Sequence, residues 1–158
     1  EFWRMYQSGQ YLHYLALRED GGNKDGWNIT ENSNTEPNKY LSIVGTIYQI
    51  TEVFEFLSRL ATENLYDEGV KVSISLHNAQ DRTLRMEDPM RAFFMFGDYK
   101  TGINDIPFSK TYSKEELISE PRELALEAII HFFHRFNWNN PPLDVIKKDQ
   151  NTLINRTW

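Results

Sequence analysis

Apolar residues recur along this chain with two different periods, and the change of period divides it into elements. Ile43, Ile47, Ile50, Phe54, Leu57 and Ala61 follow one another at steps of four and three, the spacing of one helical face. Val44, Tyr48, Val53, Phe56 and Leu60 widen that stripe, while Glu52, Glu55, Arg59 and Glu63 fall on the other side. Glu55 and Arg59 stand four apart, the spacing at which a helical ion pair forms. The pattern predicts a long helix over residues 38–64. Val70, Val72, Ile74 and Leu76 then alternate with Lys71, Ser73 and Ser75, which predicts a strand with one buried face.

The pattern before and after these two elements is more broken. Residues 1–7 and 10–17 are aromatic-rich runs separated by Ser8 and Gly9, a pair suited to a hairpin turn because Gly accepts φ > 0. With a two-residue loop, Met5 faces Leu12, Arg4 faces His13 and Trp3 faces Tyr14. Alternation then gathers Trp3, Met5, Leu12, Tyr14 and Ala16 on one face, and Phe2, Arg4, Tyr6, Tyr11, His13 and Leu15 on the other. Residues 19–38 are rich in Gly, Asn, Asp and Glu and read as a long surface loop. Residues 77–81 read as a turn, 82–86 as a returning strand with Leu84 and Met86 inward, and 91–99 as a further strand around Phe93 to Phe96. Ile106, Phe108 and Tyr112 alternate in another, with Pro107 arguing for an edge or irregular strand.

Start and stop signals frame the C-terminal third. Ser113 and Glu116 have the spacing of a capping box, in which each side chain satisfies a free backbone N–H. Pro121 marks a helix start, where its missing N–H costs nothing. A second long helix is predicted over 120–136, ended by the Asn139, Asn140, Pro141 and Pro142 run. A short final helix over 143–155 carries Val145, Ile146, Leu153 and Ile154. The expected fold class is α+β: a single domain with a largely antiparallel sheet, two long helices packed on one face and a short C-terminal helix.

Composition narrows what this domain does. Its 158 residues include no cysteine, which excludes disulfides, thiolate metal sites and cysteine nucleophiles. The net charge of −6 is not the footprint of a globally basic nucleic-acid binder. No apolar run approaches the roughly 18–20 residues of a membrane span. The chain opens at Glu1 within a strand pattern, as expected for a piece of a longer protein.

Few residues carry recognisable chemistry. Glu127, His131 and His134 share a helical neighbourhood, but they lack the two-histidine zincin spacing and read as a solvated face rather than a metal site. Arg4 and His13 with Tyr6 and Tyr11 suit anion or base contact, or a sheet face covered by a partner. Arg18, Glu19 and Asp20 offer carboxylates for a cation or a base, or simply end a strand. His77, Arg82 and Arg85 surround the second expected turn as a small basic patch. Asp20 to Gly26 lacks the spacing of a phosphate loop and of a calcium loop, and no nucleophile elbow is present. No cofactor, metal or catalytic residue is therefore expected. The candidate binding surface is Arg4, Tyr6, Tyr11, His13, Arg18, His77, Arg82 and Arg85.

Three stretches carry a resemblance: Tyr6-Gln-Ser-Gly-Gln-Tyr-Leu-His-Tyr14 with Arg18-Glu-Asp20; Thr51-Glu-Val-Phe-Glu-Phe-Leu-Ser-Arg-Leu-Ala61; and Glu120-Pro-Arg-Glu-Leu-Ala-Leu126 with His134-Arg-Phe-Asn-Trp138. Together they resemble the region that follows the N-terminal Schlafen-type AlbA-like domain in some bacterial DNA-binding or ATP-binding proteins. The resemblance implies a bacterial cytoplasmic parent whose nucleic-acid chemistry lies elsewhere, and it assigns no functional residue here. Two functions compete on these grounds. One is a non-catalytic interaction or sensing module that binds a protein partner, another domain of its parent or a second copy. The other is a nucleic-acid or nucleotide binder using Arg4, Arg18, Arg82 and Arg85.

Overall fold

The apolar stripe of the first long helix decides where the core lies. In the computed structural model, which describes residues 1–20, 39–67, 69–92 and 97–155, this helix is α1 (Ile43–Thr62). Ile43, Ile47, Ile50, Phe54, Leu57 and Ala61 are all buried, as the spacing predicts. The helix starts five residues later than the expected 38 because Tyr40–Ser42 are extended and form β3. Ser42 then caps the helix, its hydroxyl accepting from the Gly45 N–H at 2.9 Å, so the extended segment and the helix meet at a satisfied end. At the other end Asn64 adopts φ 58°, and the Leu65 N–H donates to the Leu60 carbonyl, closing a Schellman motif.

Three helices from the C-terminal part pack on α1. The capping box forms as expected, with Ser113 and Glu116 bonded reciprocally, and opens α3 (Lys114–Ser119). After it, α4 (Pro121–Arg135) has Pro in its first turn and buries Leu124, Ala125, Ala128, Ile129, Phe132 and Phe133. It ends like α1, with Asn137 at φ 65° and the Trp138 N–H on the Phe133 carbonyl. The final helix (Leu143–Asn155) spans the predicted residues. Its Gln150 is fully buried and donates to the Arg122 carbonyl at 3.0 Å, tying the last helix to α4.

The strands depart from the expected sheet. β4 (Gly69–Leu76) pairs antiparallel with β6 (Ile106–Ser113) over all eight residues. β5 (Thr83–Arg85) does not return along β4; it pairs parallel with β3. The chain instead runs on, with Ala79 and Leu84 donating to the carbonyls of Asn104 and Tyr99. Residues 69–85 thus lie along 99–113 as one long ribbon with an irregular middle. Asn78 and Asp81, at φ 55° and 66°, mark that irregularity, since short polar side chains tolerate the left-handed region. The same residues look like a turn in sequence. Ile106, Phe108 and Tyr112 face inward as expected, and the Tyr112 ring meets Phe54 of α1 edge-on at 5.5 Å.

Among the described residues the strands form three two-stranded sheets: β1 (Phe2–Met5) with β2 (Tyr11–Tyr14), β3 with β5, and β4 with β6. Two are antiparallel and one is parallel. The α+β class holds, with helices on the inner face of the β4–β6 ribbon. Residues 91 and 92, expected in a strand, belong to the short helix α2 (Pro89–Ala92). Of the loop expected over 19–38, Glu19 and Asp20 belong to a short 3-10 helix (Arg18–Asp20); residues 21–38, like Phe93 to Phe96, lie outside the described residues.

Candidate functional site: an aromatic arm and a charged pocket

The β1–β2 hairpin is an arm, because no other described strand pairs with it. Its turn is one residue longer than the expected Ser8 and Gly9. The Tyr6 N–H donates to Gln10 at 2.8 Å and the Gly9 N–H to Tyr6 at 3.0 Å, so Gln7, Ser8 and Gly9 form a three-residue loop. Gly9, at φ 81°, takes the left-handed position such a loop needs. The extra residue shifts the register by one: Phe2 pairs with Tyr14, Trp3 with His13, Arg4 with Leu12 and Met5 with Tyr11.

That shift divides the candidate surface. Arg4 and Tyr6 lie on one face, where the guanidinium stands 5.7 Å from the Tyr6 ring and 5.9 Å from Phe2. Tyr11 and His13 lie on the other, their rings 6.1 Å apart. Tyr11 also packs on Phe56 of α1 at 5.0 Å, and the His13 ring bonds the Glu1 carboxylate at 3.1 Å. The expected single face of Arg4, Tyr6, Tyr11 and His13 does not exist.

The remaining candidate residues are placed individually. Arg82 is 1% exposed, so it is not a surface residue. Its guanidinium grips both Asp20 oxygens at 2.8 and 2.6 Å and donates to the carbonyls of Asn78 and Tyr40. Asp20 and Glu19 are structural for the same reason. Glu19 accepts the Ser42 N–H at 2.8 Å, at the mouth of α1. Arg85 lies over the Tyr40 ring at 5.0 Å. Burial pushes the Tyr40 hydroxyl up, with Glu87 and Glu19 adding to the effect and Arg85 and Arg18 opposing it. Arg85 therefore covers Tyr40, while Arg18 is exposed. His77 bonds Asp105 at 2.8 Å, and this bond, with a second from Asn104, holds the Asp105 carboxyl low. With the expected turn replaced by a ribbon, His77, Arg82 and Arg85 do not assemble into one patch.

Two of the helical trio have structural partners, and the third, His134, is exposed. Glu127 takes the Lys110 ammonium with both oxygens at 2.8 Å. His131 bonds the Pro107 carbonyl at 2.9 Å and stands edge-on to Phe108 at 5.4 Å, so it is half-buried rather than fully wet.

A pocket that the sequence pattern does not suggest lies beside the start of α1. Its volume is about 450 Å³. Ile43 and Ile47 from α1, with Val145 and Ile146 from the final helix, α5 (Leu143–Asn155), form apolar walls. Tyr99 and Trp138, stacked at 5.1 Å and 24°, form a flat one, with Met86 alongside. The polar lining is Asn140 and an ion pair, Arg91 to Asp149, in which Nη1 and Nη2 meet the two carboxylate oxygens at 3.1 and 2.6 Å. Asp149 is 7% exposed. The signal for it is present in the sequence: Asp149 sits three residues after Ile146, on the apolar side of α5.

Comparison of the chain with protein-family models, curated proteins and solved structures finds no match. No comparison therefore bears on the expected resemblance to the Schlafen-associated region. The residues of its three quoted stretches serve structure here: Tyr6 to Tyr14 builds the arm, Thr51 to Ala61 belongs to α1, and 121–126 to α4.

Proposed function

We propose that this domain is a non-catalytic interaction module of a larger bacterial cytoplasmic protein, and that its arm joins it to a second copy of the same chain. The exposure of the arm carries the reading. Phe2, Trp3, Met5, Tyr6 and Tyr14 are between 37% and 63% exposed, on a two-stranded sheet that alone is marginal in water. An exposed aromatic cluster of this kind marks an interaction site, and an open strand edge favours pairing with another strand.

A second copy fits the β1 edge. In an antiparallel pairing of two β1 strands about a two-fold axis through Trp3, Trp3 meets Trp3 of the second copy and Phe2 meets Arg4. Each arginine then faces a phenyl ring instead of the like charge, a favourable cation–π arrangement. Elsewhere the acidic and basic side chains best suited to chemistry are engaged in structural pairs, Asp20 with Arg82 and Glu127 with Lys110, which supports a non-catalytic role. A nucleic-acid surface built on four arginines is less well supported, since Arg82 is enclosed.

Light scattering across a concentration series tests this. The wild-type mass is expected to rise toward that of a dimer, and Trp3→Ala with Arg4→Ala to return it to the monomer without changing the thermal midpoint. A wild-type chain that stays monomeric at every concentration, or a dimer indifferent to both substitutions, overturns the proposal.

A further inference from the structure

We infer that the pocket between α1 and α5 binds a small zwitterion with an aromatic or large apolar body, of the class of a free aromatic α-amino acid. The inference is independent of the arm. Its first support is the ion pair. Arg91 and Asp149 bind each other through both oxygens of the carboxylate, in the lining of a largely apolar pocket. Asp149 is nearly enclosed, so a ligand that drew Arg91 away from it would leave a buried charge uncompensated, which is strongly unfavourable. A lone carboxylate drawn to Arg91 competes with Asp149 and strands it. A lone amine drawn to Asp149 leaves Arg91, which keeps some contact with water, without its partner. A head group bearing both signs compensates both residues at once, its carboxylate taking N–H donors of the guanidinium and its ammonium donating to Asp149.

The second support is shape. The stacked Tyr99 and Trp138 rings present a plane, and the fully buried Ile43 and Ile146 face the same space. A flat apolar body against these walls loses its contact with water at little cost to the protein. The volume of about 450 Å³ falls at the small end of the roughly 300–1,000 Å³ range of small-molecule sites.

Isothermal calorimetry on the full chain distinguishes the head groups with three probes: L-phenylalanine, phenylacetate without the ammonium, and phenethylamine without the carboxylate. Phenylalanine is expected to bind about tenfold tighter than either half, or more, and to change the fluorescence of Trp138. Asp149→Asn is expected to weaken phenylalanine by about tenfold or more while leaving phenylacetate as tight or tighter. Equal affinity for the three probes, absence of heat with all of them, or phenylalanine binding unaffected by Asp149→Asn overturns the inference. The three-probe comparison needs no variant, so it stands even if Asp149→Asn fails to fold. Loss of self-association through the arm bears on neither result.

Discussion

Arg82 is the side chain whose environment differs most from its chemistry: a permanent cation, 1% exposed, satisfied by one carboxylate and two carbonyls. The pair links residues 62 positions apart, so it joins the foot of the arm to the ribbon. Truncating one member of a buried pair strands the other and typically costs about 3–5 kcal/mol. Arg82→Ala is therefore expected to lower the unfolding free energy from urea titration by an amount in that range, with a lower midpoint, and Asp20→Asn by less, because Asp20 retains some contact with water. A midpoint for Arg82→Ala within error of the wild type would remove this role. The burial was legible: Leu84 and Met86 read as inward, and alternation places Arg82 on the same side. Charge hid it, because arginine is rarely enclosed unless paired, and its partner lies far away in sequence. Tyr112 shows the reverse case. Its hydroxyl is buried without a hydrogen bond among the described residues, and burial, with Glu127 and Glu116 nearby, pushes the phenol up.

At the scale of elements, the helices follow their signals and the strands follow their partners. α4 and α5 match the predicted spans to within a residue because their caps and prolines act locally. The arm's register needed the length of a turn, and one residue of error moved Tyr11 and His13 to the opposite face from Arg4. β5 needed a partner that periodicity does not name. The capping box at α3 gives a pH test. Bonds from the Ser113 backbone and hydroxyl hold the Glu116 carboxyl below its ordinary 4.5. A lowered folded value means the contribution is fully present above the unfolded pKa and is lost as pH falls through the folded one. Glu116→Gln keeps the geometry of the box without the charge. The stability difference between wild type and variant is expected to be constant near neutral pH and to shrink steadily below 4.5. Denaturant titrations at pH 7, 5 and 3 (about two pH units between each) measure it, and a pH-independent difference would contradict the assignment.

At the scale of the molecule, the α+β class was legible because two helical stripes and one alternating strand are each long enough to be unambiguous. The pocket was not. Its charged pair joins Arg91 to Asp149, 58 positions apart, and no local pattern places a short helix against the last one. The arm's attachment has a consequence for how the chain comes apart. Between Tyr11 on Phe56 and the Glu19 and Asp20 anchors, few contacts among the described residues hold 14–16 beyond the pairing of Tyr14 with Phe2, and all three are exposed. Local opening there requires little free energy, whereas opening past Leu17 breaks a buried ion pair and uncovers the start of α1. Limited proteolysis is therefore expected to clip the chain near Tyr14 to Ala16 and leave a resistant remainder that melts cooperatively. Mass spectrometry of the first fragments reads the cut site. The hairpin would thus be expendable for folding while the three residues at its foot are not, so the edge of the cooperative unit falls inside a single continuous segment of chain, at Leu17.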